Sequence, residues 1–157
     1  MKINGQKIEG PNVEVIVIPR AEGKHIVFKA KAVLDYDGFN RDYPIPAPPK
    51  SQKPGGIWFE NPEDPNYKDL LDKRASFHTD WMILESLSAT PGLEWETVDK
   101  KNHETWANWR EELKNSGFNV REVNMIFEGV WRANSLDEKM VKEARESFFR
   151  SQQAASR

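Results

Sequence analysis

Seven of the chain's ten prolines fall between Pro44 and Pro65, and five of its six tryptophans come after them. Proline lacks a backbone N–H and fixes φ at about −65°, so this segment cannot be the interior of a helix or a central strand. The stretch PIPAPPKSQKPGG favours extended, polyproline-like chain and reads as a linker or a docked arm. It divides the sequence into a β-rich unit over 1–43, a Pro/Gly-rich linker over 44–65, a helical region over 66–151 and a frayed tail over 152–157. Strands first and helices afterwards argue for an α+β fold rather than an alternating α/β one. The expected architecture is a small N-terminal antiparallel hairpin or sheet unit, the linker, and a C-terminal four-helix bundle.

Local signals fill in this outline. Asn4-Gly5 between two short Lys-Ile pairs predicts a tight type I′ hairpin. The β-branched run VEVIVI at 13–18 predicts a strand covered on both faces. HIVFKAKAVL at 25–34 alternates, which predicts one wet face, and PRAEGK at 19–24 joins the two as a loop. Asp35 is expected to cap a short helical turn through Asp37 to Arg41 that ends by Pro44. Asp64-Pro65 opens a helix over about 65–89, with Leu70, Arg74, Phe77, Trp81, Leu84 and Leu87 on one stripe. Trp106, Trp109 and Leu113 mark a second helix stopped at Gly117. Val120, Val123, Ile126, Phe127, Val130 and Trp131 mark a third. Ser135 to Glu138 is a capping box for a fourth, with Leu136, Met140, Ala144 and Phe148 inward.

The composition excludes much chemistry. A net charge of −2, with neither half basic, argues against nucleic-acid binding, which needs clustered Lys and Arg. Without cysteine there is no disulfide, thiolate nucleophile or Cys zinc site. The opening MKINGQKIEG lacks the apolar core of a signal peptide, and no apolar run reaches the ~20 residues of a membrane span, so a soluble, unexported chain is expected. The histidines, His25, His78 and His103, have no ligand spacing, and HETW at 103–106 lacks the second histidine of a zinc helix. Gly55-Gly56 is not followed by the Lys-Ser/Thr of a phosphate loop. These absences point to a non-enzyme with no cofactor and no metal.

Aromatic residues are the strongest remaining signal. Trp81, Trp106 and Trp131 lie on apolar stripes and are expected in the core. Trp95 and Trp109 are candidates for lining a groove that accepts an apolar partner segment. Ile57, Trp58 and Phe59, flanked by Gly-Gly and Glu-Asn-Pro, either pin the arm to its own domain or contact a partner. The candidate partner-binding residues are therefore Ile57, Trp58, Phe59, Trp95 and Trp109, and the helical half from about Asp64 is the expected recognition region.

Several segments together resemble the tail assembly chaperones of long-tailed, siphovirus-type bacteriophages. They are INGQKIEGPNVEVIVIPR, IVFKAKAVLDYDGF, the PxPPK and PGG linker, ATPGLEWETVD, a Trp-rich helix with a Gly-Phe break, and RANSLDE. The resemblance implies a non-enzymatic protein that binds and solubilises the tape measure protein and helps recruit tail tube subunits. It also implies action in the host bacterial cytoplasm, absence from the mature virion and, in many members, a longer frameshifted product. Self-association is left open, and neither nucleic acid nor membrane is an expected partner. The alternatives are a structural tail component of the virion or a host-directed phage regulator. Because Leu84 is central to the first helical stripe, Leu84→Asp is expected to unfold the protein by burying an unpaired charge; thermal melting checks this, and an unchanged melt would show that the stripe is misplaced.

Overall fold

The computed structural model describes residues 1–135 together with 141, 142, 145–147 and 150. Strands β1 (Lys2–Ile3) and β2 (Gln6–Lys7) are joined by Asn4-Gly5, whose φ values of 51° and 79° are those a type I′ turn requires. Strands β3 (Val13–Ile18) and β4 (Ile26–Lys31) pair antiparallel, with Ile16 opposite Phe28 and Val15 opposite Lys29. Ile16, Ile18, Phe28 and Ala30 are buried, whereas Val13, Val15 and Val17 are exposed. The expectation that β3 is covered on both faces is therefore corrected, since among the described residues no layer lies over its valine row. His25 is exposed just before β4 rather than within it.

The proline-rich segment also differs from a featureless linker. Strands β5 (Lys50–Gln52) and β6 (Trp58–Glu60) form a third antiparallel hairpin, closed by a turn holding Gly55 and Gly56 at positive φ. This ladder is possible because Pro49, Pro54 and Pro62 flank the paired residues instead of interrupting them. The chain before it is docked. The Tyr67 hydroxyl donates to the Pro46 carbonyl at 3.0 Å, and Arg74 donates twice to the Tyr43 carbonyl, at 3.0 and 2.7 Å.

Helix α1 (Asp37–Asp42) is a short turn buried through Phe39. Helix α2 (Pro65–Leu87) starts as expected, with Asp64 accepting from the Tyr67 N–H at 3.1 Å and Pro65 in the first helical position. A 3₁₀ turn at His103–Thr105 precedes α3 (Asn108–Asn115), and Gly117 at φ 89° supplies the left-handed stop. Helix α4 (Val120–Asn134) opens on a reciprocal capping box between Asn119 and Glu122, at 2.9 and 3.0 Å. The predicted fourth helix and its inward residues Leu136, Met140, Ala144 and Phe148 lie outside the described residues, as does the tail over 152–157.

The architecture is mixed α+β, with three small antiparallel sheets. Among the described residues, the helices do not close a bundle of their own. Ile16, Ile18, Phe28 and Ala30 share one buried cluster with Ile83, Leu84 and Leu87 of α2, Trp109 and Leu113 of α3, and Ile126, Val130 and Ala133 of α4. The β3–β4 hairpin is thus a layer of the same core, and the proline segment is a compositional boundary that the core crosses. A two-stranded ribbon is marginal alone and becomes stable when its apolar face is covered by helix.

Gly129 brings α4 onto that ribbon. A Cβ at this position would fall 2.3 Å from Ile16 Cγ1 and 2.4 Å from Ile16 Cδ1, distances no real contact tolerates. Ion pairs flank the crossing: Arg132 Nε lies 2.9 Å from Glu14 Oε1, and Arg20 pairs with Glu122. Gly129→Ala is expected to destabilise the fold by about 1–3 kcal/mol through overpacking, despite alanine's better helix propensity. The denaturant midpoint measures this. Adding Ile16→Val should give a non-additive double mutant, and a Gly129→Ala chain as stable as the parent would show that the crossing is not tight.

Candidate functional site: the groove between α3 and α4

Helix α4 carries two apolar faces. Ile126, Gly129, Val130 and Ala133, at three- and four-residue steps, face the core. Val120, Val123, Phe127 and Trp131 recur at i, i+3, i+7 and i+11 and form the adjacent face. Val120 is 78% exposed and Trp131 56%, while Val123 and Phe127 are partly buried. Against α3 the Val120, Val123 and Phe127 part of this face bounds a groove of about 310 Å³, lined also by Trp109 and Phe118 and by the charged Arg110, Glu111 and Lys114; Trp131 does not line it. The rim carries both charges; Lys114 lies 3.5 Å from Glu111, and the Arg110 guanidinium stacks 4.6 Å above Trp109.

The floor is held from below. Trp109 is only 1% exposed, and its indole N–H donates to buried Asp80 Oδ1 of α2 at 2.8 Å. Arg110 Nη1 approaches the same oxygen at 3.1 Å. A buried carboxylate thus receives an indole N–H and a guanidinium, which offsets its desolvation.

The tryptophans divide differently from the expectation. Trp106 is buried and Trp81 partly buried in the core, as expected, but Trp131 is exposed and Trp109 is the buried one. Trp109 lines the groove from its floor: its polar edge is tied to Asp80 and little of its surface reaches solvent. Trp95 is partly buried in a separate cleft beside β4, with Phe28, Leu93 and Leu113; Phe118 walls both clefts. Ile57 and Trp58 are 68% and 62% exposed in the β5–β6 hairpin, and Phe59 lies beneath Lys53 Nζ at 5.0 Å. Docking of the arm runs through Tyr43, Pro46, Tyr67 and Arg74, so these three side chains are not what pins it. None of them lines either cleft.

Two histidines sit in an aromatic cluster that spacing did not reveal. His78 packs 4.7 Å from Phe39 and stacks on Trp81, and His103 lies 4.8 Å from Tyr43 and 4.7 Å from Phe77. Burial among these rings, with Arg74 nearby, lowers the His78 pKa and favours neutral imidazole. Elsewhere Glu112 is held ionised although burial opposes it, because the Thr97 hydroxyl and the N–H groups of Glu96 and Thr97 bind its carboxylate. This ties the loop after α2 to α3. Among the described residues there is no His, Asp and Glu group arranged to hold a metal ion, and no helix long and apolar enough to cross a membrane.

No family model matches the chain, and no curated protein or solved structure matches it.

Because the folded state lowers the His78 pKa, the unfolded chain binds the proton more readily. The associated stability is present above the unfolded value of about 6.5 and is lost as pH falls below it. Melting temperature is expected to drop between about pH 7 and about pH 5.5. His78→Gln should flatten that portion of the profile, and an identical slope in the variant would assign the dependence to other groups.

Proposed function

We propose that this chain is a tail assembly chaperone of long-tailed bacteriophages, holding a helical segment of the tape measure protein in the α3–α4 groove. The second apolar face of α4 carries the reading. An apolar trough with rims of both charge signs suits an amphipathic helix, whose apolar stripe enters while its polar flanks meet Arg110, Glu111 and Lys114. Exposed Ile57 and Trp58 offer a second, weaker contact on the arm. Two modest contacts on one chain raise the effective concentration along a repetitive partner without requiring tight binding at either. Such a holdase has no catalytic step and no cofactor. In this role it acts in the host bacterial cytoplasm, helps recruit tail tube subunits and leaves before the particle is complete. The resemblance of the sequence segments to that family supplies the partner's identity, and the groove supplies a physical means of holding it.

Co-expression with the tape measure protein of the same phage tests the proposal. Soluble, co-purifying complex is expected where the tape measure alone precipitates. Val120→Glu, at an exposed position on the groove wall, should leave the melt unchanged and weaken the complex by about tenfold or more. Trp58→Ala should weaken it less. A tape measure that precipitates equally in both cases, together with the chain's presence in purified virions, would instead identify a structural tail component.

A further inference from the structure

The two edges of the β3–β4 ribbon are treated differently. The Lys29 N–H donates to Thr90 Oγ1 at 2.8 Å, and the Thr90 hydroxyl donates back to the Lys29 carbonyl at 3.0 Å. Ser86 donates to the Lys31 carbonyl at 2.7 Å, and the Val33 N–H donates to Asn134 Oδ1 at 2.8 Å. These side chains from α2, the turn after it and α4 occupy the outer edge of β4, so another strand cannot pair there while they hold. The same bonds fix the parity of the ladder. Since Lys29 points away from β3, the inward-bonded pairs are Glu14–Ala30, Ile16–Phe28 and Ile18–Ile26, and Ala32 continues the series by donating to the Asn12 carbonyl at 2.8 Å. Val13, Val15 and Val17 therefore aim their N–H and C=O groups at the open side. Among the described residues these groups have no partner, and the valine side chains are 45%, 54% and 46% exposed.

We infer that the β3 edge pairs with the β3 edge of a second copy of this chain, antiparallel and centred on Val15. Unpaired backbone groups beside exposed β-branched side chains recognise an extended strand. The sequence is self-complementary in this register: Val13 meets Val17 of the other copy and Val15 meets Val15, with no charge opposed. Glu14 is the only charged residue of β3, and Arg132 already neutralises it within the same chain at 2.9 Å. The covered edge of β4 ends the sheet at four strands, so the assembly closes as a two-fold dimer instead of growing into a fibre. This inference is independent of the tape measure reading.

Sedimentation equilibrium of the full chain over a wide concentration range tests it. The mass is expected to rise from 18.2 kDa toward twice that value as concentration increases. Val15→Lys, which opposes two ammonium groups across the axis, should weaken association by about tenfold or more. A covalent test does not depend on how that variant folds. The natural chain has no cysteine, and residues facing each other at Val15 lie at a Cα separation of about 5.5 Å, within disulfide range. Val15→Cys should therefore oxidise readily to a covalent dimer. Val27→Cys, on the same face but about 20 Å from its symmetry mate, should not. A chain that stays monomeric at every concentration overturns the inference, as does equal cross-linking of the two cysteine variants. Protection of the β3 amides from exchange only when tape measure protein is added to a monomeric chain would assign the edge to a partner's strand and overturn self-pairing.

Discussion

The close crossing of α4 over β3 is the contact on which the rest of the molecule depends. A two-stranded ribbon is marginal by itself, and the helices expose apolar stripes that need a flat partner. Gly129 lets the two approach until Ile16 fills the space where a side chain would be. The crossing also chooses which face of α4 is spent on the core. Once Gly129, Val130 and Ala133 face the ribbon, Phe127 and Trp131 are turned toward the outside. The fold therefore creates the candidate groove by the same contact that closes the core.

Beneath that groove, Asp80 converts polarity into rigidity. Its carboxylate joins α2 to α3 through the Trp109 indole and Arg110, linking positions 29 residues apart in sequence. A buried charge held in this way is sensitive to loss of either partner. Trp109 is thus fixed in the groove floor by its polar edge, with Arg110 over its ring. Glu112 plays a parallel part on the other side of α3, where its carboxylate gathers the N–H groups of a loop that has no regular structure of its own. The groove floor and the neighbouring loop are consequently both fastened to one short helix.

Much of this was legible in the residues. Asn4-Gly5, Asp64-Pro65 and Gly117 each marked a boundary through a local conformational requirement, and α4 followed its apolar periodicity, whereas α2 leaves Leu70 of the expected stripe exposed and buries Ile83 outside it. Tertiary choices were less visible. Apolar residues of α4 span an arc wider than one contact face, and periodicity alone cannot say which part meets the core. The informative residue was Gly129, a mid-helix glycine that signals close approach but has no hydrophobic signature. Trp131, expected in the core, is consequently exposed, and Trp109, expected to line a groove, is buried in its floor. Composition likewise overstated the separation at the prolines, because a compositional break says nothing about whether segments on either side bury surface against each other. The arm hairpin was hidden because its paired residues, Lys50–Gln52 and Trp58–Glu60, are too few to establish an alternating pattern. The aromatic setting of His78 and His103 was invisible for a related reason: it is assembled by α1, α2 and the 3₁₀ turn from positions with no shared sequence spacing.

The chain order of the core has a consequence for biosynthesis. The ribbon is translated early, but the groups that complete its setting come late: Val33 waits for Asn134, 101 residues downstream, and Glu14 for Arg132, 118 residues downstream. Contacts of such separation close slowly, and translation proceeds at about 5–20 residues per second. For several seconds after the ribbon emerges, its inner face and the outer edge of β4 lack their native cover. The nascent chain is therefore most vulnerable to misassociation before α4 leaves the ribosome, and its solubility during synthesis depends on how quickly α4 follows the first strands.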